Sequence, residues 1–133
     1  MSRRTSRETA LQALYQMDFH ENEENGIMKE RAKTLSDEDL GFYTHLLQGV
    51  QTNKQQIDHE IEQYLKKGWS LYRLSSIDRA ILRLSTFELL FDNTPKSVVL
   101  NEAVDLAKSF SGEESSRFIN GILGALVKSL ESK

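Results

Sequence analysis

The chain has 133 residues, 38% hydrophobic and 28% charged, with no cysteine and a net charge of −3. That is enough for one domain with a sizeable core, and it excludes a disulfide framework, a thiolate nucleophile and any cysteine-based metal site. The acidic balance argues against a general nucleic-acid coating protein but leaves room for a local basic patch, because association follows the charge near the contact. No apolar run approaches a membrane span, and the N-terminus lacks the apolar stretch of a signal peptide. A cytoplasmic protein with no membrane partner is the expectation. One proline, seven glycines and the absence of period-two apolar runs favour long helices throughout.

Three arginines and no acid open the chain, at Arg3, Arg4 and Arg7. Thr5 and Glu8 have capping-box spacing, so a helix starting there leaves Arg3 and Arg4 on a short arm. Leu11, Leu14 and Tyr15 supply its apolar face. The arginines read either as a phosphate-contacting arm or as a solvated terminus. Residues 20–34 are acidic and polar, a loop followed by a short helix through Ile27, Met28 and Ala32. Over 36–66, Ser36 with Asp39 marks a helix start. Leu40, Tyr43, Leu47 and Val50 continue at steps of three and four, and Ile57, Ile61 and Leu65 follow after a break near 52–54.

Lys66-Lys67-Gly68 reads as the end of that helix, a basic last turn followed by a glycine cap. The connector Trp69–Leu74 is rich in large apolar residues, and Trp69 is expected to anchor packing. The stretch 75–91 reads as the central helix. Ile77, Ala80, Ile81, Leu84, Phe87 and Phe91 form one face, Leu82 and Leu89 a second, so more than one neighbour packs on it. Ser75 and Asp78 start it as a capping pair. Asp78, Arg79 and Arg83 fall on what should be an outer edge. Glu88 falls inside the apolar face, where a carboxylate needs hydrogen bonds or a cation; it reads as a tie to a neighbouring helix end, with a catalytic acid as the other reading. Thr94-Pro95 opens the next helix, Val99 to Phe110 continue it, and Ser111-Gly-Glu-Glu114 reads as the cap of a last helix in which Gly121 and Gly124 suit a close helix approach.

The chemistry of common enzymes is absent from the pattern. His20, His45 and His59 are scattered, and His59-Glu60 lacks the second histidine of a helical zinc site. There is no phosphate-cradling glycine loop and no nucleophile elbow. Nothing assembles a nucleophile, a base and an oxyanion site. No metal, cofactor or catalytic residue is assigned.

Several stretches together resemble the NusB family of bacterial transcription antitermination proteins. They are Arg3-Arg-Thr-Ser-Arg-Glu-Thr-Ala-Leu-Gln-Ala-Leu-Tyr15, Trp69-Ser-Leu, Ile77-Asp-Arg-Ala-Ile-Leu-Arg-Leu84, Phe87-Glu-Leu-Leu90, Asn101-Glu-Ala-Val-Asp-Leu-Ala-Lys-Ser-Phe110 and Arg117-Phe-Ile-Asn-Gly-Ile-Leu123. Each is modest alone; their order and spacing along nearly the whole chain are specific. The resemblance implies an all-α single domain over 1–133, of about six or seven helices in two three-helix sub-bundles around the central helix. It also implies binding of the boxA element of nascent ribosomal RNA. The partner in that binding is the tenth small-subunit ribosomal protein, called NusE in this role. With RNA polymerase and the other Nus factors, the pair opposes termination.

The same resemblance assigns residues. Arg3, Arg4 and Arg7 match the family's basic N-terminal segment, which reaches the RNA backbone. Arg117 and Phe118 match the end of a basic-aromatic stretch, where a helix N-terminus attracts phosphate and a ring can stack on an unpaired base; core packing is the alternative for Phe118. Glu114 lies where the family often has Asp and tunes RNA affinity by repulsion. Arg83 and Lys96 are added to the RNA set, with Arg79 and Arg83, on the edge of the central helix, expected to face either the partner or the RNA. Tyr15, as an aromatic anchor, and Asp78, as a charged contact, face the ribosomal protein, with Arg79, Tyr72 and Arg73 at the border of that surface. Leu82, Leu89 and Leu90 could serve either that partner or a homodimer. Gly68 as an insertion, Ser116, and the position of Lys96-Ser97 depart from the family's usual pattern and bear on individual contacts.

Two other classes compete with this reading. A helical module that binds protein only would keep all binding when the three arginines are changed to alanine. A domain of this kind also resembles the N-terminal part of certain ribosomal RNA cytosine methyltransferases, but the chain has no glycine-rich nucleotide loop and no room for that activity.

Overall fold

Helix boundaries in the computed structural model, which describes residues 3–132, follow local chemistry. The elements are α1 (Arg3–Met17), α2 (Glu24–Ala32), α3 (Asp37–Thr52), α4 (Lys54–Glu62), α5 (Ser76–Phe91), α6 (Lys96–Phe110) and α7 (Glu113–Glu131), with one 3-10 turn at Leu71–Arg73. No strand occurs among the described residues. Ser36 and Ser75 cap α3 and α5, each hydroxyl accepting the N–H three residues on, at 3.2 Å. Asn53 separates α3 from α4, and its side-chain amide donates back to the Gly49 carbonyl at 2.8 Å.

Helices α1, α2 and α3 pack as one group and α5, α6 and α7 as a second, with α5 also lying against α1, α3 and α4. This is the expected pair of three-helix groups sharing the central helix, with α4 bracing α5 from outside. With so many neighbours α5 has no outer edge: every residue from Arg79 to Leu89 is buried. Arg79 and Arg83, expected at an exposed edge, are therefore inside. Asp18 accepts from Arg79, and Asp58 of α4 takes Arg83 in a two-point pair at 2.9 and 3.0 Å. Leu82 and Leu89 are also in the core and are unavailable to a partner or a second copy; Leu90 is half-buried.

Other boundaries differ from expectation for identifiable reasons. Helix α1 already includes Arg3, so Arg3 and Arg4 are helical residues, not an arm. Helix α4 stops at Glu62, four residues before the lysines, and Gly68 turns the chain beyond it at φ +86°. Gly112, at φ +145°, occupies the position before α7 with no side-chain cap, so Ser111 does not play that part. Trp69 is 41% exposed and carries the Arg73 guanidinium 4.7 Å from its ring centre. The connector's plug is Leu71, fully buried, with its N–H on Glu62 at 3.1 Å. Arg79 holds the same connector by donating to the Leu74 carbonyl at 3.1 Å. No neighbour crowds Gly121 or Gly124; the close approach is at Gly49, where an added Cβ would fall well inside van der Waals distance of the Phe87 ring.

Candidate nucleic-acid interface

At the start of α1 each arginine has found a partner. Arg7, 4% exposed, points inward and grips Glu88 through Nε and Nη2 at 2.8 and 2.7 Å. Burial would lower the Arg7 pKa, but the hydrogen bonds and charge of Glu88 outweigh it and the net direction is upward. This is how a carboxylate sits on the apolar face of α5: a charge-assisted two-point pair satisfies both groups. Arg4, one turn nearer the end, is half-exposed. Its Nε and Nη2 donate to Glu102 at 3.3 and 3.0 Å, and Nη2 also donates to Asp105 at 2.9 Å. The hydrogen bond to Glu102 leads the causes that raise its pKa. Arg3 lies over the Phe42 ring, 4.1 Å from the centroid. It lines a groove with Glu38, His45, Asp92 and Pro95, and Lys96 follows at the first position of α6. His45 Nε2 meets the Asp92 carboxylate at 2.6 Å in that groove.

The other end of α1 is built differently. Tyr15 (42% exposed) and Phe19 (60% exposed) meet edge to face, ring centres 5.1 Å apart. They line a groove with Gln12, Arg31, Ile77 and Phe110. Asp78, in the first turn of α5, accepts from the Ser115 hydroxyl of α7. Tyr72, 67% exposed, spreads over the inward-turned Arg79 and Arg83, whose guanidinium carbons stand 5.2 and 5.8 Å from its ring centre. Burial opposes the charge on Arg83, yet Asp58 raises its pKa overall. Arg117 and Glu114 are exposed in the opening turns of α7, with Arg117 3.8 Å from Glu113. Phe118 is half-buried and packed against the core.

The residues assigned to RNA are thus divided. Arg3, Arg4 and Lys96 are at the end where α1 and α6 begin; Arg117, Phe118 and Glu114 are in the opening turns of α7, where Ser115 holds Asp78 and α6 has just finished. Because Arg4 meets Glu102 and Asp105 while Tyr15 shares a groove with Phe110, α1 and α6 run in the same direction and meet through long side chains, a seam without close backbone packing. At about 1.5 Å per residue, the two ends of the seam lie about 18 Å apart. Arg7, Arg79 and Arg83 face inward, committed to Glu88, Asp18 and Asp58. Sequence reasoning missed Phe42, Phe19, Glu102 and Asp105. The signal for the last two was present: acids three apart share one helical face.

Among the described residues no group of His, Asp and Glu side chains is arranged to hold a metal ion, and no described helix is long and apolar enough to cross a membrane. Two helical groups share a buried helix, and they leave arginines at one end of α1 and exposed rings at the other, charged and aromatic surfaces of the kind through which proteins bind RNA and other proteins. The model of the NusB family matches residues 4–128. The transcription antitermination protein NusB of Bacillus licheniformis is 43% identical over 132 residues, covering 98% of this chain and 100% of that protein. A structure of T. maritima NusB superimposes with a TM-score of 0.89 at 37% identity, covering 96% of this chain and 92% of that one. A second similar structure, of antitermination factors NusB and NusE in complex with dsRNA, has a TM-score of 0.87 at 28% identity over 96% of each chain. The chain belongs to the NusB family.

Proposed function

We propose that this protein is an RNA-binding transcription antitermination factor. It binds the boxA element of nascent ribosomal RNA together with the tenth small-subunit ribosomal protein, NusE, and so helps RNA polymerase and the other Nus factors resist termination. The observation that carries the reading is the near-complete match to a family whose relative was crystallised with NusE and RNA. The described geometry supports it: Arg3, Arg4 and Lys96 offer cations at one end of the α1–α6 seam, and Arg117 with Phe118 offers a cation and a ring at the other. Tyr15, Phe19, Tyr72 and Asp78 give the protein partner exposed aromatic anchors beside a carboxylate. The 133 residues act as one unit, in the cytoplasm where nascent RNA is found, and no covalent step is assigned to them.

With net charge −3, the protein alone should bind RNA weakly and gain affinity when the basic partner adds its own charge. Fluorescence anisotropy with labelled boxA RNA, single-stranded and as a duplex, with and without the ribosomal protein, tests this. No gain on adding the partner, for either form of RNA, would sink the proposal.

A further inference from the structure

An RNA strand that touches both ends of the α1–α6 seam must cross the ground between them, and that ground is acidic. Arg4, Glu8, Glu102, Asp105 and Ser109 line it. Counting Glu8, two arginines, Arg4 and Arg7, face four carboxylates, Glu8, Glu88, Glu102 and Asp105. The cluster therefore carries two net negative charges, the wrong sign for a phosphate. The two arginines are not equivalent. Arg7 and Glu88 bury their charges against each other, and neither can turn outward without leaving the other unpaired in the core. Arg4 and Asp105 are each half-exposed, at 51% of their side chains, so that contact can open into water at little cost.

We propose that Glu102 and Asp105 act as an internal anion that competes with RNA phosphate for Arg4, so that RNA engages this seam by exchange. The inference rests on the RNA-binding reading above. In the free protein the two carboxylates occupy Nε and Nη2 of Arg4, on the sides a bidentate phosphate would use. To bind in two points a phosphate must displace at least one of them, and it must then withstand their repulsion. A guanidinium already satisfied by carboxylates discriminates against stray polyanions that make only one contact, and yields to a strand anchored at both ends of the seam. The acids of α6 thereby act as specificity-determining residues for RNA, although they repel it.

The test is a double-mutant cycle in the full chain, read by anisotropy with a labelled boxA RNA oligonucleotide in the presence of the ribosomal protein. The variants are Glu102→Gln with Asp105→Asn, Arg4→Ala, and the three together. Neutralising the two acids should tighten binding about two- to fivefold, the range to which exposed ion pairs convert. Arg4→Ala should weaken binding and flatten the dependence on salt by about one single-strand phosphate contact, a slope change of about 0.7. The gain from neutralising the acids should be markedly smaller in the Arg4→Ala protein. The cycle removes the long-range charge effect common to both backgrounds. Equal gains in the two backgrounds, or no gain with Arg4 present, overturn the inference while leaving the RNA-binding reading intact. Wild-type protein that fails to bind RNA even with its partner overturns the reading itself. Asp105→Asn alone, at an exposed helix position, gives the same comparison if the double variant folds poorly.

Discussion

The two ends of α1 leave opposite things open. At Arg3, Arg4 and Arg7 every cation already has an internal counterpart, a ring for Arg3 and carboxylates for the other two. At Tyr15 and Phe19 large rings, in edge-to-face contact, are partly open to water along a groove they share with Ile77 and Phe110. A ligand reaching the first end must exchange one ionic contact for another, so its net gain is small, salt-dependent and sensitive to what holds the arginines. A ligand reaching the second end gains from covering apolar surface that nothing inside the chain competes for. The contrast sharpens within the arginine end itself. Arg7 and Arg4 are one helical turn apart, yet one completes the core and the other is exchangeable, because α5 closes over Arg7 and leaves Arg4 at the rim.

The largest break in that contrast should come from Arg7→Ala. It strands Glu88, 2% exposed, as an unpaired carboxylate, and should cost about 3–5 kcal/mol in urea unfolding. A protein that stays fully stable but loses RNA would return Arg7 to the RNA-contacting set. A Glu88→Gln protein with the same outcome would likewise overturn the structural role of the carboxylate. Gly49→Ala should cost about 1–3 kcal/mol by overpacking against Phe87. Phe87 neighbours His45 and Phe91, with ring centres 5.2 and 5.7 Å away, so the disturbance belongs to the arginine end. Affinity for the ribosomal protein, measured by calorimetry, should be unchanged; a loss there would show that the ends are not independent. Tyr15→Ala should do the reverse, weakening that partner by about 1–2 kcal/mol while leaving the melting temperature and RNA binding by the protein alone as they were.

Much of this was legible in the sequence because helical periodicity and capping are local. Ser36 with Asp39, Ser75 with Asp78 and the break at Asn53 all depend on residues within one turn, and each is where the pattern puts it. Glu88 was legible as an anomaly: a charge on an apolar face required a counter-charge, although the pattern did not say that Arg7 supplies it. What depends on neighbours was not legible. Arg79 and Arg83 look like an exposed edge until α4 and the turn after α1 bring Asp58 and Asp18 over them. Trp69 looks like a core anchor until Leu71, two residues on, takes that position. Glu102 and Asp105 look like an ordinary solvated face, and only the parallel course of α1 beside α6 makes them the counterpart of Arg4.

The smallest expected effect depends on pH and lies at the aromatic end, where Asp18 anchors Arg79 beneath Tyr72. Burial alone would raise the Asp18 pKa. Hydrogen bonds from Ser76 and Arg79, with the charges of Arg79 and Arg83, outweigh it and hold the carboxyl below its ordinary 3.8. A carboxyl whose folded pKa lies below its unfolded one binds its proton more readily in the unfolded chain. Its contribution is therefore complete above about pH 4–5 and is lost as the pH falls through the folded value. The urea midpoint of the wild type should exceed that of Asp18→Asn at pH 7, and the two should draw together below pH 3.8. The difference at neutral pH should be smaller than for Arg7→Ala, because water reaches 22% of the Asp18 side chain but only 5% of that of Arg7. A gap between wild type and Asp18→Asn that does not change with pH would mean that the asparagine acts through packing, and that the aromatic end does not depend on this charge.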